Sequence, residues 1–214
     1  MRVAVINETS QASKNQDILR ALEGRGLEII NAGMKSNDDP ELTFIDTALM
    51  SALLLNMKAV DLVIGGCGTG QGYLNAVLQY PGVAVGHILN PLDAWMFIQI
   101  NAGNCISLAL AEGYGWGGDQ NLVLTFDQLF RMDLWEHGYP DHRRESEKLT
   151  RKQVSQLSEM NHYPITDIVD KLWENQREML RNVLCFPGFM ALVEKNAQNN
   201  QALAQKLQEK FAAV

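Results

Sequence analysis

Thiol and glycine chemistry meet in the stretch Gly65–Leu74, "GGCGTGQGYL", where Cys67 stands among five glycines and Thr69, directly after the apolar run "AVDLVIG". Glycines strip away side-chain cover and let a ligand approach the main chain, and a helix is expected to begin within about five residues. The N–H groups of such a loop form an anion cradle. The partial positive charge of a helix start lowers a thiol pKa and raises the thiolate fraction near neutral pH. A thiolate beside an oxyanion cradle is a base or a nucleophile. The alternative is a buried, inert cysteine at the end of a core strand.

Competing motifs fit less well. A P-loop needs Lys and Ser or Thr after its last glycine, and neither follows here. A dinucleotide fingerprint follows the first strand and is trailed by an acidic ribose ligand; this loop follows the third strand. The other cysteines, Cys105 and Cys185, are widely spaced, so neither a disulfide framework nor a CxxC zinc site is indicated. His87, His137, His142 and His162 show no ligand spacing, and no metal or cofactor is expected.

The elements that must position Cys67 follow from hydrophobic periodicity. Short apolar runs at Val3–Ile6, Leu27–Asn31, Asp61–Ile64, Val83–Gly86 and Cys105–Leu110 alternate with helical stretches near Gln11–Glu23, Leu42–Met57, Gly72–Gln79 and Pro91–Asn101. Strands separated by helices of this length run parallel. The expected fold is α/β, a Rossmann-like three-layer structure with a five-stranded parallel sheet and ligand sites at the carboxyl ends of its strands. Residues 1–120 form this core. Residues 121–214 form a helical C-terminal extension of three to five segments, broken at "HGYPDH", "NHYP" and "CFPG", that packs on the core or on a partner subunit.

Composition bounds the class. The chain has 214 residues, 46% hydrophobic and 20% charged, with a net charge of -7. One buried core is expected at this length. The acidic balance argues against nucleic acid, which demands clustered Lys and Arg. No apolar run is long enough to span a bilayer, and the N-terminus enters a strand pattern at once. A cytoplasmic protein without membrane association is expected.

The run from Cys67 to Leu110 resembles the type-B ribose 5-phosphate isomerases and their galactose 6-phosphate isomerase relatives. The resemblance rests on Cys67-Gly68-Thr69-Gly70 with Gly72, on Pro81-Gly82, on Asn90-Pro91, and on Gln99, Asn101 and Asn104. The correspondence extends over roughly residues 1–110, about half the chain. It implies an aldose–ketose isomerase, an intramolecular oxidoreductase working through a cis-enediolate. In that family the thiolate at Cys67 is the base and Thr69 adds a hydroxyl. The amides of Gly68, Gly70, Gln71 and Gly72 receive the developing charge, and Asn101 binds substrate hydroxyls.

Several positions depart from the family pattern. Glu8-Thr9 replaces an Asp-His pair, Ile100 replaces a histidine, Ala84 an arginine, and Leu78-Gln79 an Asn-Lys pair. Glu8 keeps a carboxylate for substrate hydroxyls. His87, Arg143 and Arg144 are the candidates to replace the lost phosphate contacts. The resemblance implies a pentose or hexose phosphate of the ribose 5-phosphate or galactose 6-phosphate type. An unphosphorylated deoxy-uronate ketose is the alternative, and a non-catalytic sugar- or nucleotide-binding module or a nicotinamide-dependent dehydrogenase are the rivals from other classes. A homodimer is expected, with a tetramer as the alternative.

Overall fold

The structure, a computed structural model, describes all 214 residues. In chain order the core comprises β1 (Arg2–Val5), α1 (Asn15–Leu22), β2 (Glu28–Asn31), α2 (Phe44–Asn56), β3 (Leu62–Cys67), α3 (Gln71–Val77), β4 (Val85–Ile88), α4 (Pro91–Ile100) and β5 (Cys105–Ala109). Six further helices follow: α5 (Gly118–Leu129), α6 (Arg144–Asn161), α7 (Ile165–Asn175), α8 (Arg177–Leu184), α9 (Phe189–Lys195) and α10 (Gln201–Ala212). The five strands are all parallel, in the order β2-β1-β3-β5-β4.

Two apolar clusters cover the two faces of the sheet. One joins Val63, Cys67, Tyr73 and most of α2 to α7–α10; the other joins Val3, Val5, Ile64 and Ile106 to α1, α4 and α5. Helix α2 lies between the sheet and the C-terminal helices, which explains why "TALMSALLL" is apolar all round rather than striped. A capping box between Thr43 and Asp46 starts it. Asn90 caps α4, whose first residue is Pro91, a placement that wastes no backbone donor. No helix is long and apolar enough to cross a membrane.

Three elements differ from the sequence expectation in ways that matter for the site. Strand β3 runs three residues past Ile64, because β5 pairs with Gly65, Gly66 and Cys67 opposite Ser107, Leu108 and Ala109. Cys67 is therefore the last residue of a strand. Strand β4 starts two residues late, since Asn104 takes up the backbone there: its Oδ1 accepts from the Ala84 N–H at 2.9 Å and its Nδ2 donates to the Gly82 carbonyl at 2.7 Å. Helix α1 starts at Asn15, after a short 3-10 turn over Ala12–Lys14. The C-terminal part contains six helices rather than three to five, and its first, α5, packs with α1 and α4 in the second layer.

Candidate active site

The strand-end geometry around Cys67 depends on two missing side chains. Gly66 has φ +152°, and a Cβ there would run into the Leu108 carbonyl oxygen. Gly70 has φ +75°, in the left-handed region, and a Cβ there would lie 2.5 Å from His87 Nε2. Between them the chain turns sharply from β3 into α3. The Gly70 N–H closes that turn on the Cys67 carbonyl at 3.1 Å, and the Ser107 hydroxyl donates to the Gly70 carbonyl at 2.6 Å.

Cys67 is 7% exposed and faces the α2 and α3 side of the sheet, with Sγ 3.9 Å from Thr69 Oγ1. Of the four amides expected to form the cradle, two are engaged inside the chain. Gly70 N–H serves the Cys67 carbonyl, and Gln71 N–H donates to Thr69 Oγ1 at 3.3 Å. The N–H groups of Gly68, Thr69 and Gly72 have no partner within the chain. Two of the four expected donors, Gly68 and Gly72, thus remain free, and Thr69 adds a third.

Glu8, 4% exposed, lies at the carboxyl end of β1 and accepts a short hydrogen bond from the Ser10 hydroxyl. Ser10 in turn is the nearest neighbour a Cβ at Gly68 would meet, at 3.4 Å. The carboxylate therefore borders the glycine loop. The ring of Phe44, the first residue of α2, comes within 3.3 Å of the Cβ position at Gly72 and walls the loop on that side.

On the other side of Thr69 opens a cavity of about 300 Å³ whose polar lining includes Thr69, Gln71, His87, Glu112, Asn121 and Tyr114. No Lys or Arg lines it, and Cys67 is not among its lining residues. His87 Nε2 lies 3.1 Å from the Thr69 carbonyl, which can only accept. Nε2 therefore carries the hydrogen, and Nδ1 is left to accept from the Gln71 amide at 3.5 Å. The remaining buried thiol, Cys105, is pushed up to about 12 by burial and touches the Tyr73 hydroxyl at 3.3 Å, so it is inert packing.

The structure brings together Glu8, Cys67, Gly68, Thr69, Gly70, Gln71, Gly72 and His87. Asn101, Arg143 and Arg144 do not join them. Helix α4 returns the chain from the carboxyl edge of the sheet to its amino edge, so Asn101, just before β5, lies at the opposite end from Cys67. The segment before α6 packs there too: Glu136 N–H donates to the Ile98 carbonyl and Gly138 N–H to that of Gln99. Arg144 is bound to Asp141 at 2.7 Å and to His137. No three His, Cys, Asp or Glu side chains are grouped as metal ligands. Sequence reasoning missed Ser10, which donates to Glu8 beside the loop, and Gln11 and Ser107, polar residues that hold the loop's frame through partners far away in the chain.

The sequence matches the Ribose/Galactose Isomerase family over residues 3–127. No curated protein sequence matches it. Among solved structures, it is similar to a 4-deoxy-L-threo-5-hexosulose-uronate ketol-isomerase complexed with a tartrate, with a TM-score of 0.92 and 35% identity over 99% of this chain and 100% of that one. A ribose-5-phosphate isomerase from Vibrio parahaemolyticus gives a TM-score of 0.90 and 34% identity over 98% and 99%. A ribose 5-phosphate isomerase from Thermotoga maritima shares the fold, with a TM-score of 0.56 and 20% identity over 68% of this chain and 96% of that one. With its parallel sheet, its cysteine-bearing glycine loop and full-length relatives that are sugar isomerases, the chain belongs to the ribose/galactose isomerase family.

Proposed function

We propose that this isomerase moves a proton between C1 and C2 of an open-chain deoxy-hexosulose uronate through a cis-enediolate, with the Cys67 thiolate as base. The observation that carries the substrate class is the charge of the site. Neither the glycine loop nor the cavity beside it contains a Lys or Arg, while Glu8 and Glu112 border them. A sugar phosphate brings about two negative charges that call for cations. A uronate brings one carboxylate, and its hydroxyls suit carboxylate and amide partners. The solved uronate ketol-isomerase, similar over the whole chain, supports the same class.

The roles follow from placement. Cys67 takes the proton from one carbon and returns it to the next. The unpartnered N–H groups of Gly68, Thr69 and Gly72 stabilise the enediolate oxygen in a preorganised cradle. Thr69, whose hydroxyl is 3.9 Å from the thiol, stands between the reacting carbons and the cavity that takes the rest of the substrate. Glu8 holds a substrate hydroxyl. His87 fixes the Thr69 carbonyl and faces the cavity. Asn101 reaches this site only from a second copy, which makes a homodimer the working assembly.

The test is turnover of a 4-deoxy hexosulose uronate and of ribose 5-phosphate, with solvent deuterium exchange at the reacting carbon. The uronate should show a kcat/KM higher by about tenfold or more, and Cys67→Ala should lower kcat by on the order of 10³. Preference for ribose 5-phosphate sinks the substrate class; an active Cys67→Ala sinks the base. Ribose 5-phosphate is the second reading. It is favoured by the 34% identity to the Vibrio parahaemolyticus enzyme and by Arg143 and Arg144, which lie at the same end of the sheet as Asn101 and would arrive with it.

A further inference from the structure

Gln11 is wholly buried, yet its carboxamide takes no part in any regular element. Its Nε2 donates to the Cys67 carbonyl at 3.2 Å and to the Leu108 carbonyl at 3.1 Å, 56 and 97 residues away in the chain. These carbonyls belong to β3 and β5 where the two strands make their last pairings. The amide fits there because Gly66 has no side chain: a Cβ at Gly66 would lie 2.5 Å from Gln11 Nε2. The backbone N–H of Gln11 donates to the Glu8 carbonyl at 3.0 Å.

One residue therefore joins the turn that carries the carboxylate to the strand end that carries the thiol. The Cys67 carbonyl does not need this bond to be satisfied, since the N–H groups of Gly70 and Leu110 already reach it. Moreover, Gln11 Oε1 is buried without a partner, an unpaired acceptor that carries a desolvation cost. An unsatisfied buried polar atom beside a reactive group is a local conflict of the kind that functional sites keep.

We infer that Gln11 is a positioning residue for the isomerase site, fixing the Cys67 thiol and the Glu8 carboxylate in one frame through the carbonyls of Cys67 and Leu108. It touches no substrate. The inference rests on the reading of Cys67 as the base.

Two variants test it on the hexosulose uronate, with ribose 5-phosphate as the second substrate and circular dichroism at the assay temperature as the folding control. Gln11→Met keeps the length and removes both donors; kcat should fall by about tenfold to a hundredfold while KM changes less than about threefold. Gln11→Glu can donate only while its buried carboxyl is protonated, so its kcat should approach wild type at the acidic end and drop as that carboxyl ionises, a limb absent from the wild-type profile. A folded Gln11→Met with kcat within about twofold of wild type overturns the inference. So does a Gln11→Glu profile that superimposes on the wild-type one, which decides the matter if Gln11→Met does not fold. An inactive Cys67→Ala beside an unaffected Gln11→Met would remove this inference alone; an active Cys67→Ala removes the catalytic reading and this inference with it.

Discussion

The imidazole of His87 occupies the space that a side chain at Gly70 would fill, with Nε2 2.5 Å from the Cβ position and 3.1 Å from the Thr69 carbonyl it holds. The strand β4 residue and the glycine-loop residue are thus a matched pair. A Gly70→Ala substitution meets both a left-handed φ and this clash. It should destabilise the fold by roughly 2–4 kcal/mol in urea titration, of which about 1–2 kcal/mol is the backbone part. In a His87→Ala background only the backbone part should persist, and a loss unchanged from the wild-type background would show that the ring is not what excludes the side chain.

Alkaline stability should depend on two groups buried away from the active site. Burial pushes the Cys105 thiol from its ordinary value near 9 up to about 12, and burial, with the Asp46 carboxylate second, pushes Tyr80 up to about 12. Both hold their protons longer in the folded chain than in the unfolded one. Their contribution is complete below about pH 9 and is lost progressively from there toward pH 12, at about 1.4 kcal/mol for each tenfold difference in proton affinity between the two states. Denaturation midpoints measured between these limits should fall with pH, and more shallowly in Cys105→Val.

Cysteine labelling separates the three thiols. Iodoacetamide under native conditions at pH 8 should modify the exposed Cys185 first and leave Cys105 unmodified, as read by peptide mass spectrometry. Modification of Cys105 ahead of the others would contradict its burial against Tyr73.

Subunit complementation tests the shared site. If Asn101 serves the loop of a second copy, Cys67→Ala and Asn101→Ala are each inactive alone. An equal mixture refolded together should recover about a quarter of wild-type activity, because half the dimers are mixed and each of those has one intact site of two. An active Asn101→Ala would place Asn101 outside the reaction, and no recovery from two inactive variants would refute sharing of the site between subunits.

Truncation tests the doubly covered helix. A chain ending after His162 loses α7–α10 and bares the apolar face of α2 formed by residues such as Leu49, Met50 and Leu53. It should aggregate or bind a hydrophobic dye such as ANS, whereas an extension with no part in the core would leave a folded 1–162 fragment.

Much of this was legible in the residues themselves. Alternating apolar runs and amphipathic stretches specify the parallel sheet, and the "GCGTGQG" loop is where the sequence points for the candidate site. The extra rungs of β3 were not readable, because Gly65 and Gly66 have low strand propensity and pair only through β5. The remoteness of Asn101 follows from topology once α4 is traced back to the amino edge. Gln11 was opaque for a physical reason: its partners lie 56 and 97 residues away, and nothing local distinguishes a buried amide from a loop residue.

Strand β5 is the last to be made and yet lies inside the sheet, between β3 and β4. A growing chain therefore carries its sulfur on an unpaired margin until Cys105–Ala109 slips between strands synthesised earlier. Because such long-range pairing is slow relative to helix formation, competence arrives with closure of the whole sheet and not before. The frame around Cys67 is complete only in the finished sheet.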